Sequence, residues 1–200
     1  MSDSVTTQRF AIVDTETTGL FPAKDRVLQL GVVIVRGDGT IESQFSTHIK
    51  RLVFKPGRLG AHHVHGITRS DLLRGTPLET ALQELQDMLQ GAVFTAHNAA
   101  FDLGFLRAEA NRANFALNIP SHICTLRMSR ALDPKSTRSH KLSEIAKRYN
   151  IVNDRQHDAL ADALITAAVL PRLFDELKIT TVDQLARFMV NERTNTNNQP

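Results

Sequence analysis

Cysteine is nearly absent from this chain. Cys124 stands alone, so no internal disulfide forms; a covalently stapled scaffold is excluded and a reducing compartment, the cytoplasm, is favoured. Long hydrophobic runs are missing as well. The strongest, VLQLGVVIV at 27–35, falls well short of the ~20 apolar residues that span a bilayer, and the N-terminal MSDSVTTQRF lacks the apolar core of a signal peptide. A soluble, unexported protein is expected. No internal repeat is visible, and low complexity is confined to NERTNTNNQP at 191–200, which is too polar to pack.

What remains is an ordinary globular mixture, 42% hydrophobic and 22% charged over 200 residues, enough for one well-buried core. One domain is expected over residues 8–190, with 1–7 and 191–200 disordered. QRFAIVDT, RVLQLGVVIV and TIESQFSTHI are rich in β-branched and apolar residues and are punctuated by TTG and by Gly37-Asp38-Gly39, which predicts a three-stranded meander. Thr76-Pro77-Leu78-Glu79 offers a capping box for a helix over about 78–90, closed by Gly91. AVFTAH is a short buried strand, and AAFDLGFLRAEANRAN returns to helical spacing with Asp102 in its first turns. HICTLRMSRAL passes from strand to helix, DPKSTRS is a loop, and KLSEIAKRYN is a further helix. HDALADALITAAVLPRLFDEL is a long helix that Pro171 should kink or divide, and Val182, Leu185 and Met189 have the spacing of an ordinary packing helix. The fold class is α/β, a mixed sheet flanked by helices.

AIVDTETTGL, residues 11–20, runs from core residues straight into two acids. Residues two apart on a strand share a face, so Asp14 and Glu16 project together and Thr15 points away. Such a pair raises its own pKa values and is costly to bury unpaired, so a cation belongs between the two; hard divalent ions with oxygen ligands, magnesium or manganese, fit best. For one D-x-E in isolation, exposed strand-end acids are the simpler account. Further acids stand at element boundaries, however. Asp102 begins a helix directly after a buried strand, where alone it would serve to stabilise the helix N-terminus. His157, Asp158 and Asp162 follow near the C-terminus. On one continuous helix His157 and Asp162 would lie about 140° apart. If Asp158 caps the helix and His157 lies in the loop before it, the histidine is free to reach the site that Asp162 faces, and this arrangement is the one expected.

Charge adds a second cue. From Arg127 to Arg148 seven Lys or Arg stand against two acids, Asp133 and Glu144, while the rest of the chain is net negative. A basic stretch beside paired acids suits an anionic polymer bound over a metal site. On charge alone a solvated helix face is the simpler account.

FAIVDTETTG, TAHNAAFDLGFL and HDALADALITAAVL, in this order, resemble the three exonuclease motifs of the DEDDh (DnaQ-like) 3′→5′ exonucleases, as do HHVHGITRSDL and HKLSEIAKRYNI between them. The resemblance covers roughly residues 8–177. It implies a ribonuclease H-like fold with a five-stranded mixed sheet, two divalent metal ions (Mg2+ or Mn2+) held by Asp14, Glu16, Asp102 and Asp162, and His157 as general base. It also implies substrate contacts at Thr17 and His65, with Leu20 and Phe101 available to a terminal base, although core packing is the simpler role for Phe101. Many relatives have aspartate-threonine where this chain has Cys124-Thr125, so the surroundings of the site should differ while its chemistry stays intact. The implied partners are nucleic acid 3′ ends, DNA in preference to RNA. Likeness to the proofreading epsilon subunit of bacterial DNA polymerase III adds a DNA polymerase.

Other accounts explain less. D-T-E-T-T is similar to the D-x-D-x-T loop of haloacid-dehalogenase-like phosphatases, but the hairpin-rich first half and the terminal HDALAD argue against that class. A binding module that has lost its chemistry would not need all four acids and the histidine. His62, His63 and His65 suggest zinc, yet no second cluster with metal spacing follows.

Overall fold

The structure, a computed structural model, describes residues 3–52, 59, 60, 62–152 and 157–191. Three strands come first: β1 (Arg9–Thr17), β2 (Val27–Arg36) and β3 (Ile41–His48). Three helices follow, α1 (His62–His65), α2 (Arg69–Arg74) and α3 (Leu78–Met88), before strand β4 (Val93–Ala96) leads into helix α4 (Ala99–Arg112). Strand β5 (Ser121–Cys124) runs directly into α5 (Thr125–Ala131); α6 (Leu142–Arg148), the long α7 (Ala159–Leu177), the short α8 (Val182–Leu185) and strand β6 (Val190–Asn191) complete the order.

These strands form one mixed sheet in the order β3-β2-β1-β4-β5-β6. The β1–β2 and β2–β3 pairs are antiparallel, β1–β4 and β4–β5 are parallel, and β6 pairs antiparallel with β5. Alternation along β1 divides the core in two. Ala11 and Val13 face a cluster built with Leu82 and Leu85 of α3 and Leu103 and Phe105 of α4, whereas Phe10 and Ile12 face Ile165, Val169 and Leu173 of α7. β2 is covered on both faces, which is why its sequence reads as a nearly continuous apolar run, interrupted by Gln29.

Five strands were expected and the sheet has six. Among the described residues the sixth is two residues long and pairs through Ser121 and His122, too short to impose a period on the sequence. It also shortens the expected packing helix at 182–190: α8 ends at Leu185, a 3-10 turn covers Ala186–Phe188, and the chain then extends. The capping box at Thr76–Glu79 does not form. The Thr76 hydroxyl bonds instead to that of Thr47 at 2.6 Å and its N–H donates to the His48 carbonyl, so Pro77 caps α3 without a side-chain bond. Helix α7 runs undivided through Pro171. Residues Val5–Thr7, expected to be disordered, make a 3-10 turn whose Val5 is buried and donates its N–H to the Thr180 carbonyl. Met1, Ser2 and the tail beyond Asn191 lie outside the described residues. Among those described, no helix is long and apolar enough to cross a membrane.

Candidate active site

The carboxyl ends of the parallel strands β1, β4 and β5 lie on one edge of the sheet, and the candidate residues gather there. Asp14 and Glu16 share the α7 face of β1, opposite Gly31 and Gln29 of β2 in the antiparallel ladder. Asp102 arrives from the other face. After β4 the chain turns through Asn98 in the left-handed region (φ 69°), and α4 begins at once, so Asp102 in its first turn is buried at the sheet edge. Its Oδ1 accepts the Thr15 hydroxyl at 2.9 Å.

Helix α7 supplies the remainder. Asp158 is extended (φ −116°) and caps the helix, accepting the Ala161 N–H at 3.0 Å, and His157 stands before the helix in the left-handed region (φ 64°). The break between residues 157 and 159 removes the 140° separation that a continuous helix would impose. The His157 N–H donates to Asp162 Oδ2 at 3.3 Å. One donor atom each from Glu16, His157 and Asp162 lies within 4.8 Å of the others.

Electrostatics tie Asp14 and Asp102 to this group. Burial pushes the Asp14 carboxyl well above its ordinary range, and the charges of Asp102, Asp162, Glu16 and Asp158 push it further. Glu16 is pushed up to about 7 by burial, then by Asp162 and Asp158. Asp102 also reaches about 7 through burial, although the Thr15 hydrogen bond acts to lower it. Clustered carboxylates that resist ionisation form a set of oxygen donors, which suits hard divalent cations, and the His157 imidazole stands beside them.

The secondary positions are partly committed elsewhere. The Thr17 hydroxyl donates to the Gly19 carbonyl at 2.6 Å, holding the loop that leaves β1. His65 lies on α1 with Nδ1 accepting the Ile67 N–H at 3.0 Å and Nε2 bonded to the Leu59 carbonyl at 2.9 Å, outside the Glu16–His157–Asp162 group. A Cβ at Gly60 would come within 1.9 Å of the Thr18 carbonyl oxygen, so the segment leading to His65 leans on the loop after β1. Phe101 packs its ring 4.9 Å from Phe105, as core packing requires. Leu20 is exposed, and so is its neighbour Phe21. No group of three metal donors forms around His62 and His65 among the described residues, and the His63 side chain lies outside them. Cys124 is buried at the N-cap of α5 and makes no capping hydrogen bond there.

Two residues carried no signal in the sequence reading. Gln29 is buried opposite Glu16 and donates to Asp158 Oδ2 at 3.0 Å. His97 bonds through Nδ1 to the Thr125 hydroxyl and through Nε2 to the His140 carbonyl, both at 3.0 Å, and so ties the basic stretch to the end of β4. All seven basic residues of that stretch are exposed.

The exonuclease family model named RNase_T matches residues 11–170. The chain belongs to this family. It is a DEDDh-type exonuclease domain with a ribonuclease H-like fold. It is 32% identical over 184 residues to the 3′-5′ exonuclease DinG of Bacillus subtilis, covering 90% of this chain and 19% of that one. It is 32% identical over 190 residues to the PolC-type DNA polymerase III of Streptococcus thermophilus, covering 92% of this chain and 12% of that one. The chain therefore spans a fifth or less of these relatives. Among solved structures, the nuclease domain of 3′hExo, a DEDDh family member bound to rAMP, superposes with a TM-score of 0.71 over 85% of this chain and 93% of that one, at 17% identity. Antiparallel pairing of β1, β2 and β3, together with family membership, removes the phosphatase reading.

Proposed function

We propose that this exonuclease domain hydrolyses DNA from the 3′ end, releasing nucleoside 5′-monophosphates with the help of two divalent cations. One observation carries the reading: Asp14, Glu16, Asp102 and Asp162 converge with His157 at the carboxyl edge of the sheet, with Asp14, Glu16 and Asp102 reluctant to ionise there without a cation.

Two Mg2+ or Mn2+ ions, held by Asp14, Glu16, Asp102 and Asp162, would supply the Lewis acidity that neutralises charge growing on the phosphoryl oxygens. The chain supplies the rest. His157 has a ring nitrogen beside the Glu16 and Asp162 oxygens and is exposed to solvent, so a neutral imidazole there can take the proton of the attacking water. Asp158 keeps that histidine out of the helix. Thr15 holds Asp102 in place from beneath. The exposed basic residues of α5, α6 and the loop between them attract the phosphates of the strand leading away from the cut.

DNA is favoured over RNA because a PolC-type DNA polymerase III matches this chain along nearly its whole length. The same likeness makes a DNA polymerase a candidate partner. The deciding experiment gives purified protein matched 5′-labelled DNA and RNA oligomers with magnesium, with chelator, and with a blocked 3′ end. A magnesium-dependent ladder of shortened DNA, absent on the blocked strand, is expected. A ladder on RNA alone would reverse the substrate, and cuts inside the blocked strand would refute exonuclease action.

A further inference from the structure

Helix α7 must begin at a fixed place, because the residue just before its cap, His157, and Asp162 in its first turn both meet the acids of β1. Two residues of β2 define that place. A Cβ at Gly31 would lie 2.4 Å from the Ala159 carbonyl carbon and oxygen, so the helix starts in direct contact with the strand backbone. Two residues before it, Gln29 is 4% exposed and turns both ends of its amide to the junction. Nε2 donates to Asp158 Oδ2 at 3.0 Å and to Ser46 Oγ at 3.3 Å, and Oε1 accepts the Ala159 N–H at 3.3 Å. Asp158 Oδ1 meanwhile accepts the Ala161 N–H at 3.0 Å. Two of the helix's otherwise orphaned N–H groups are thus satisfied by a pair of side chains from different elements.

We propose that Gln29 is a positioning residue for the reaction: seated opposite Glu16, its amide clamps Asp158 and the start of α7, and so sets His157 and Asp162 against Asp14 and Glu16. The inference rests on the exonuclease reading. An amide fits this role where an acid would not. Its N–H end meets the Asp158 carboxylate and its carbonyl end meets a backbone N–H, whereas a carboxylate at residue 29 would face Asp158 with like charge. Because Gln29 and Ala159 are buried, a polar group left unmatched on either carries a desolvation penalty.

The test compares wild type with Gln29→Met, Gln29→Glu and the reciprocal swap Gln29→Glu/Asp158→Asn, which restores a donor opposite an acceptor. Wild type must first release nucleotides from a DNA 3′ end; failure there removes the exonuclease reading and this inference with it. With wild type active, Gln29→Met and Gln29→Glu are each expected to lower kcat by roughly 10–100-fold with KM within about twofold, as displacement of a catalytic group by up to about 1 Å does. The swap should bring kcat back to within about fivefold of wild type. In the metal-free protein, hydrogen exchange at the Ala159 and Ala161 amides should accelerate in the single variants and slow again in the swap, while the sheet amides keep their protection. Wild-type kcat with unchanged exchange in Gln29→Met would overturn the inference and leave the exonuclease reading standing. A swap no better than Gln29→Glu would overturn it equally.

Discussion

The hydroxyl of Thr15 donates to Oδ1 of Asp102 at 2.9 Å, a bond between residues 87 apart in the chain that joins β1 to the first turn of α4. Thr15 points away from Asp14 and Glu16, yet it serves the same site through the acid on the other face of the sheet. Thr15→Val keeps shape and removes the donor. A hydrogen bond to a charged, buried acceptor contributes roughly 1.5–3 kcal/mol, so the ionised Asp102 loses about that much. Activity of Thr15→Val should require several-fold more magnesium for half-saturation, and Thr15→Ser should restore it. A magnesium titration of activity checks both.

His157→Ala should reduce kcat by roughly 10²–10⁴-fold, the span expected for removing a general base, while manganese affinity measured by calorimetry changes little. Unchanged turnover would remove His157 from the mechanism.

The metal-free protein should become more stable as pH falls from 8 to about 6.5. Asp14, Glu16 and Asp102 have folded-state pKa values above the unfolded value of about 4, so the folded state holds protons that the unfolded chain has released. The stability they confer is fully present below about 4 and is lost as pH rises through about 7. His97 works the other way at lower pH. Burial holds it down to about 4, so below about 6.5 the unfolded state takes the proton first and stability falls toward pH 4. Between 8 and 6.5 the three acids outweigh His97, whose unfolded-state titration is only half complete at 6.5. Melting curves in chelator should show a higher Tm at 6.5 than at 8, and Asp14→Asn should flatten the difference.

Replacing Arg127, Arg130 and Arg138 together with Gln should raise KM for a single-stranded oligomer and flatten its dependence on salt. Each phosphate contact contributes about 0.7 to the slope of log affinity against log salt on single strands, so three contacts amount to about 2. Binding measured between 50 and 200 mM salt gives the slope, and an unchanged slope would mean that the strand runs elsewhere.

Much of this arrangement is legible in the sequence, and the reason is local. The meander of β1, β2 and β3 is written in β-branched runs and turn residues, and the break before α7 follows from angles, since His157 and Asp162 cannot share a site on an unbroken helix. Residues whose role depends on distant partners gave no such cue. Gln29 sits inside an apolar strand and reads as a blemish until Asp158, 129 residues later, is seen against it. Glu109 resembles an ordinary surface acid of a helix, yet it is fully buried and bonded to Arg26 and Arg51, which lie 83 and 58 residues earlier. Burial raises its carboxyl, and those guanidinium groups outweigh the burial and leave it below its ordinary value. Thr76 misled for the opposite reason: a complete capping signal was present, and a bond to Thr47 of β3 took its hydroxyl first.

The most direct measurement is calorimetric titration of manganese into the chelator-treated protein and its Asp14→Ala variant at neutral pH. Wild type should bind two ions, and the variant should lose both manganese binding and nucleotide release. Wild-type affinity in the variant, or no manganese bound by the native chain, would contradict the claim that these carboxylates are gathered to hold cations.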